Sequence, residues 1–187
     1  MPANQAERVQ QWALADVQQL GADADGAHAA SWLPFLWGMT ASDTGNMPEY
    51  SAFDATAMVT CMQQSGLVAD SDLLQATLRS SGQQWDAPNC WPPLLCMWVD
   101  GLAERGGEAG AKLARRLSNA YLNAVRHGLQ ETGVAWEKYE CSGAGKAGSG
   151  GEYEVQQGFG WTNGAVLHII AHGLDAAANL GPPRKQM

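Results

Sequence analysis

Charge is scarce in this sequence and positive charge scarcest: Asp, Glu, Lys and Arg make up 16% of residues, with 11 basic side chains against 19 acidic ones and a formal net charge of −8. A surface of that sign does not draw in phosphate backbones or anionic lipid, which excludes nucleic acid as an expected partner. No apolar run approaches the length needed to span a bilayer, so no membrane segment is expected. The opening residues Met1–Arg8 contain no basic patch followed by an apolar stretch; no export signal is read there, and the cytoplasm is the default compartment. Cysteines number only four (Cys61, Cys90, Cys96, Cys141) and none are in C-x-x-C spacing, which argues against a zinc ribbon or a thioredoxin-like pair and for reduced thiols. Alternating apolar and polar runs are short or absent, so extended sheet is not expected.

What the sequence does have is apolar mass and tryptophan. Hydrophobic residues reach 45%, too many for a disordered segment, and 187 residues suffice to bury a core without disulfides or a structural metal. Eight tryptophans exceed what packing alone requires, and flat indole faces are what sugar rings stack on. Apolar positions recur at helical spacing, most cleanly over Ala111–Gln130, where Leu113, Leu117, Ala120, Tyr121, Ala124 and Gly128 share one face and Lys112, Arg115, Asn119 and Arg126 the other. Weaker patterns cover Val9–Leu20, Phe53–Gln64, Pro93–Glu104 (Leu94, Leu95, Trp98, Leu102) and Asn163–Ala178 (Leu167, Ile170, Ala171, Leu174). Pro92-Pro93 suits the first turn of the Pro93–Glu104 helix, where a missing N–H does no harm. The class expected is mainly α, with five or six helices.

Long irregular stretches separate these helices: Asp43–Ser51, Ser80–Trp91 and Ser142–Thr162. Loops of that length in a small domain are functional or disordered. The glycine-dense run Ser142–Gly151 can bring its backbone close to a ligand. Gly143–Gly148 spells G-x-G-x-x-G, yet it lacks the preceding strand and following helix of a dinucleotide site, and Ala147 stands where a P-loop needs Ser or Thr. His168 and His172 are four apart on a helix and could share a metal; Ile169 occupies the glutamate position of a zinc-protease helix, which favours two histidines flanking an apolar face. No G-x-S-x-G elbow is present.

Two stretches combine aromatics, carboxylates and rigid turns. In Ser81–Pro93, prolines fix a backbone that presents Gln84, Trp85, Asp86 and Asn89 at a helix entrance, a reasonable site for a hydroxyl-rich ligand. Taken alone, these residues favour the plainer alternative, in which Asp86 caps the loop and Trp85 and Trp91 are core. The second stretch runs Trp136–Glu140, then the glycine run, then Gly151–Gly164, with Glu137 and Glu152 on either side of a flexible, aromatic-rich segment. Carboxylates so placed suit glycosidic-bond hydrolysis, where water is activated beside a positively charged transition state.

Together, Gln84-Trp85-Asp86-Ala87-Pro88-Asn89 with Trp91-Pro92-Pro93, Glu137-Lys138-Tyr139, Gly150-Gly151-Glu152-Tyr153 and Gly158-Phe159-Gly160-Trp161-Thr162-Asn163-Gly164 closely resemble the C-terminal part of the α,α-trehalases of glycoside hydrolase family 37, in order and spacing as well as letters. The likeness is strong over 81–164 and extends back to Trp32–Leu36. It implies a partial (α/α)6 toroid with long irregular active-site loops, formed by residues 31–180, with a less well assigned N-terminal helical segment over 1–30 and a tail over 181–187. It also implies inverting hydrolysis of trehalose to two glucose molecules, with no metal or organic cofactor. Motif by motif, Glu137 matches the general base, Glu152 a residue that hydrogen-bonds sugar hydroxyls, and Gln84, Trp85, Asp86, Asn89, Phe159 and Trp161 residues that line or support the substrate site.

Three departures from the family pattern stand out. Cys90 replaces a small residue, Glu140 replaces an aspartate, and the Ser-Gly-Trp-Asp-like motif that carries the family's general acid does not occur in these 187 residues. Inversion needs an acid to protonate the leaving oxygen while a base roughly 6.5–9.5 Å away activates water, and one carboxylate cannot do both. The expectation is therefore a C-terminal portion of a trehalase, inactive by itself, whose uncovered apolar face favours self-association. The alternative is a non-catalytic remnant that binds sugar or a partner chain.

Overall fold

A computed structural model of the chain describes Ala29 and residues 55–175. The expected helix at Val9–Leu20, the loop at Asp43–Ser51, the Trp32–Leu36 likeness and the 181–187 tail lie outside the described residues. Within them the order is α1 (Ala55–Gln64), β1 (Asn89–Cys90), α2 (Pro92–Arg105), α3 (Gly107–Thr132), β2 (Tyr139–Glu140) and α4 (Gly160–Ala171). The class is mainly α, as the periodicity indicates.

Helix α2 starts at paired prolines, whose absent N–H groups fall among those a helix leaves unbonded in any case. Its buried face is Leu94, Leu95, Trp98, Val99 and Leu102, which contains all four positions singled out from spacing. A single residue, Gly106, joins it to α3: a Cβ there would lie 2.6 Å from the Leu102 carbonyl, and one on Gly110 would meet the same oxygen at 2.6 Å. The corner is therefore open only to residues without side chains. Helix α3 buries Leu113, Leu117, Tyr121, Ala124 and Gly128, and ends at Gly133, whose left-handed φ of 74° lets its N–H cap the Leu129 carbonyl. Helix α1 packs Val59 and Met62 into the same core, and Ser65 closes its end by donating to the Met62 carbonyl at 2.6 Å.

The core between these helices is lined by Trp91, Trp98, Tyr121, Tyr139, Leu95 and Leu102, each fully buried. Trp98 Nε1 donates to the Ala29 carbonyl at 2.8 Å, so its one polar atom is satisfied inside.

Helix α4 packs on α2 but not with the face expected from its sequence. Thr162, Ala165 and Ile169 are buried, whereas Leu167 and Ile170 are 69% and 55% exposed. The helix is apolar nearly all round, so spacing alone does not select its inner side.

Candidate active site

The loops that carry the motifs converge on one short segment, Trp136–Glu140, that leaves the end of α3. On one side β2 pairs antiparallel with β1, with Asn89 opposite Glu140 and Cys90 opposite Tyr139. On the other side Tyr139 bridges Ala147 and Trp136 bridges Gln157. Backbone bonds complete the seam: Glu137 N to the Gln156 carbonyl at 2.9 Å, Gly148 N to the Lys138 carbonyl at 2.9 Å, and Gly158 N to the Ala135 carbonyl at 2.7 Å. The segment is thus the middle rail to which both motif loops are fastened.

Glu137 is 1% exposed. Its Oε1 accepts a hydrogen bond from the Tyr153 hydroxyl at 2.8 Å, and Oε2 one from the Gln156 amide at 3.3 Å. Its carbonyl accepts from Trp161 Nε1 at 2.7 Å. The Thr162 hydroxyl donates to the Trp136 carbonyl at 2.6 Å, which ties α4 to the same rail. No Lys, Arg or His nitrogen forms an ion pair with this carboxylate among the described residues; the ion pairs found there are Arg116–Asp72 and His168–Asp100. A buried carboxylate held by neutral donors keeps lone pairs available to a further donor such as water.

Lys138 is fully buried as well. Its Nζ donates to the Gly150 carbonyl at 3.3 Å and sits 5.0 Å from the centre of the Trp91 ring and 5.9 Å from that of Tyr153. Burial pushes its titration below 10.5, and the neighbouring Glu137 charge acts in the opposite sense. Tyr153 is displaced the other way: its hydrogen bond to Glu137 raises it above 10.0, since the phenolate could not donate and would face a carboxylate.

The glycine run is held by close approach. Gly145 lies against α3, where a Cβ would come within 2.7 Å of the Ala124 carbonyl, and a Cβ on Gly128 would in turn lie 2.8 Å from the Gly145 carbonyl. Among the letters of G-x-G-x-x-G, Gly145 answers to helix contact and Gly148 to Asn89 and Lys138, whose side chains a Cβ would meet at 2.6 Å and 2.7 Å. Asn89, 1% exposed, clamps the far end: its Oδ1 accepts from Ser149 N at 2.9 Å, and its Nδ2 donates to the carbonyls of Ser149 at 2.9 Å and Asp86 at 3.1 Å.

The residues singled out from sequence fall into two groups. Trp85, 49% exposed, stacks on Trp91 at 3.9 Å between ring centres and 7° between planes. Trp91 meets Trp161 edge-on at 5.5 Å, and Phe159 lies 4.3 Å from Trp161, so the aromatics form one continuous cluster that reaches the Glu137 carbonyl. Glu152 is exposed on the loop beside Tyr153. The Asp86 and Asn89 side chains bond within the protein, whereas Gln84 contributes its main-chain carbonyl and its side-chain Oε1 is buried with no hydrogen-bond partner among the described residues. Asp86 accepts from the hydroxyls of Ser81 and Thr77, and the Gln84 carbonyl accepts from Trp91 Nε1 at 2.9 Å. The Ala87–Pro88 peptide between them is cis. Cys90 lies in β1, fully buried, and is a free thiol, as are Cys96 and Cys141.

His168 Nε2 faces Asp100 Oδ1 at 2.7 Å and so links α4 to α2. No group of three or more His, Cys, Asp and Glu that could hold a metal ion is found among the described residues, and no helix there is long and apolar enough to cross a membrane. Sequence reasoning passed over Tyr153 and Lys138, although both stand inside quoted motifs; the signal was their adjacency to Glu152 and Glu137.

A family model described as Trehalase matches residues 10–173. Among curated proteins, the trehalase of Bombyx mori is 40% identical over 119 residues, covering 59% of this chain and 21% of that protein. The probable trehalase of Oryza sativa subsp. japonica is 33% identical over 142 residues, covering 76% of this chain and 25% of that protein. The trehalase of Homo sapiens is 39% identical over 97 residues, covering 52% and 17%. The chain thus spans about a fifth of the length of the curated relatives it matches. With the matched region taking in both motif loops and the rail between them, the chain belongs to the trehalase family.

Proposed function

We propose that this chain supplies the base half of an α,α-trehalase site: Glu137 deprotonates the water that attacks trehalose with inversion, releasing two glucose molecules. The observation that carries the reading is a carboxylate that is 1% exposed, free of any ion pair among the described residues, and joined to an aromatic cluster with an exposed indole at its rim. In this reading Trp85 offers a face to a glucose ring, Phe159 and Trp161 support it, and Glu152 reaches sugar hydroxyls from the loop. Gln84, Asp86 and Asn89 act indirectly by fixing the loops. The four described helices form part of an (α/α)6 toroid, and the acid that protonates the leaving oxygen comes from polypeptide outside these 187 residues. The apolar patch of Leu167 and Ile170 is covered by that polypeptide or, in its absence, by self-association.

The test uses a completed enzyme, for example the Pseudomonas aeruginosa periplasmic trehalase with its aligned segment replaced by this chain; the two are 40% identical over 116 residues. Proton NMR of the anomeric region during the first turnovers should show equal α- and β-glucose. Only α-glucose at early times would mean retention and would contradict a base that activates water directly. The 187-residue chain alone should release no glucose, and calorimetry with trehalose reports whether it still binds the sugar.

A further inference from the structure

A catalytic carboxylate must be aimed as well as present, and the contacts around Glu137 identify what aims it. Its backbone is fixed by the rail, and among the described residues its side chain is held by two groups. The Gln156 amide at 3.3 Å is a long contact, and the Tyr153 hydroxyl at 2.8 Å is the stronger one. Tyr153 belongs to a loop whose placement is set upstream, by Asn89 at Ser149 and by Lys138 at Gly150. Lys138 is the anomaly of the region. A fully buried ammonium with one acceptor at 3.3 Å and no carboxylate in ion-pair reach among the described residues is expensive to keep, and an apolar side chain of equal length would pack there at lower cost. Its charge has four neighbours to act on: the Gly150 carbonyl, the Trp91 and Tyr153 ring faces, and the adjacent Glu137. All four lead back to the orientation and charge of one carboxylate.

We propose that Tyr153 and Lys138 are positioning residues for the base: Lys138 pins the glycine loop at Gly150, the loop delivers the Tyr153 hydroxyl to Glu137 Oε1, and that hydrogen bond turns Oε2 toward the attacking water. The inference rests on Glu137 being the base. Neither residue makes the chemistry itself, because Lys138 is sealed from solvent and the Tyr153 hydroxyl is already engaged. The titratable groups facing Glu137 are Lys138 from its own segment and Tyr153 from the loop, while α4 contributes only the neutral Trp161 and Thr162 to its carbonyl.

Two experiments test the proposal. In the 187-residue chain, carbon-13 NMR of the tyrosine Cζ atoms, with Tyr153 assigned by its loss in Tyr153→Phe, should show Tyr153 titrating above 10.0 and falling back toward 10.0 in Glu137→Gln. In the completed enzyme, Tyr153→Phe should lower kcat about tenfold, the scale of one hydrogen bond to a charged group, with little change in KM. Lys138→Met, which keeps the stem and removes the charge, should lower kcat as well, again with little change in KM. An unchanged Tyr153 titration in Glu137→Gln, or a Tyr153→Phe enzyme with normal kcat beside a dead Glu137→Gln enzyme, overturns this proposal alone. A fully active Glu137→Gln enzyme overturns the base assignment and this proposal with it.

Discussion

Replacing Asn89 with alanine should loosen the glycine loop from a distance. The side chain makes three hydrogen bonds, two with Ser149, 60 residues away in the chain, and one with the nearby Asp86 carbonyl. A net contribution of about 1 kcal/mol for each gives an upper figure of about 3 kcal/mol. Ser149 is itself exposed, so water can replace part of what its N–H and C=O lose, which brings the expected cost to about 2 kcal/mol. Asn89→Asp separates the contributions: it keeps the acceptor for Ser149 N and removes both donations, leaving a buried charge. Urea unfolding of the 187-residue chain measures the loss, and hydrogen exchange at the Ser149 amide measures it locally. A change under about 0.5 kcal/mol, the range of ordinary surface substitutions, with Ser149 exchange unaltered would refute the clamp.

Three further outcomes follow from the packing and the titrations. Gly145→Ala places a Cβ within 2.7 Å of the Ala124 carbonyl at a residue with φ of 72°, and should cost about 2–4 kcal/mol in thermal or urea unfolding. Stability should fall as pH rises above 9. Burial, with smaller effects from Asp100 and Cys90, pushes the Cys96 thiol from 9.0 up to about 12, and Tyr121 and Tyr139 are raised by burial. The unfolded chain releases these protons first, so stability present below pH 9 is lost on the way to pH 12; Lys138, lowered by burial, opposes this near 10.5. Urea midpoints from pH 7 to 11 should show the decline, and Cys96→Ala should flatten its early part. Finally, sedimentation should show concentration-dependent association of the 187-residue chain that Leu167→Ser with Ile170→Ser reduces.

Much of this arrangement is visible in the sequence. The α3 stripe and the Pro92-Pro93 start of α2 are readable because each side of those helices has a distinct chemistry. The inner face of α4 is not, because Leu167, Ile169 and Ile170 put apolar side chains on both its buried and its exposed sides. A sheet of two-residue strands is too short to leave a period, so the seam joining Asn89–Cys90 to Tyr139–Glu140 is invisible, and with it the fact that the two motif loops are adjacent. Glu137 is recognisable from its company. The internal roles of Asp86 and Asn89 are not, since a polar residue in a motif reads the same whether it faces a ligand or another loop; only the partners Ser81, Thr77 and Ser149 decide.

The most direct test is turnover of trehalose by the completed enzyme carrying Glu137→Gln. The amide keeps the shape of the side chain and can still accept from Tyr153, but it cannot take a proton from water. The account predicts a folded enzyme with KM little changed and kcat reduced by about 10²–10⁴, the contribution of a positioned general base. A kcat within about threefold of the parent enzyme, far short of that contribution, would contradict it.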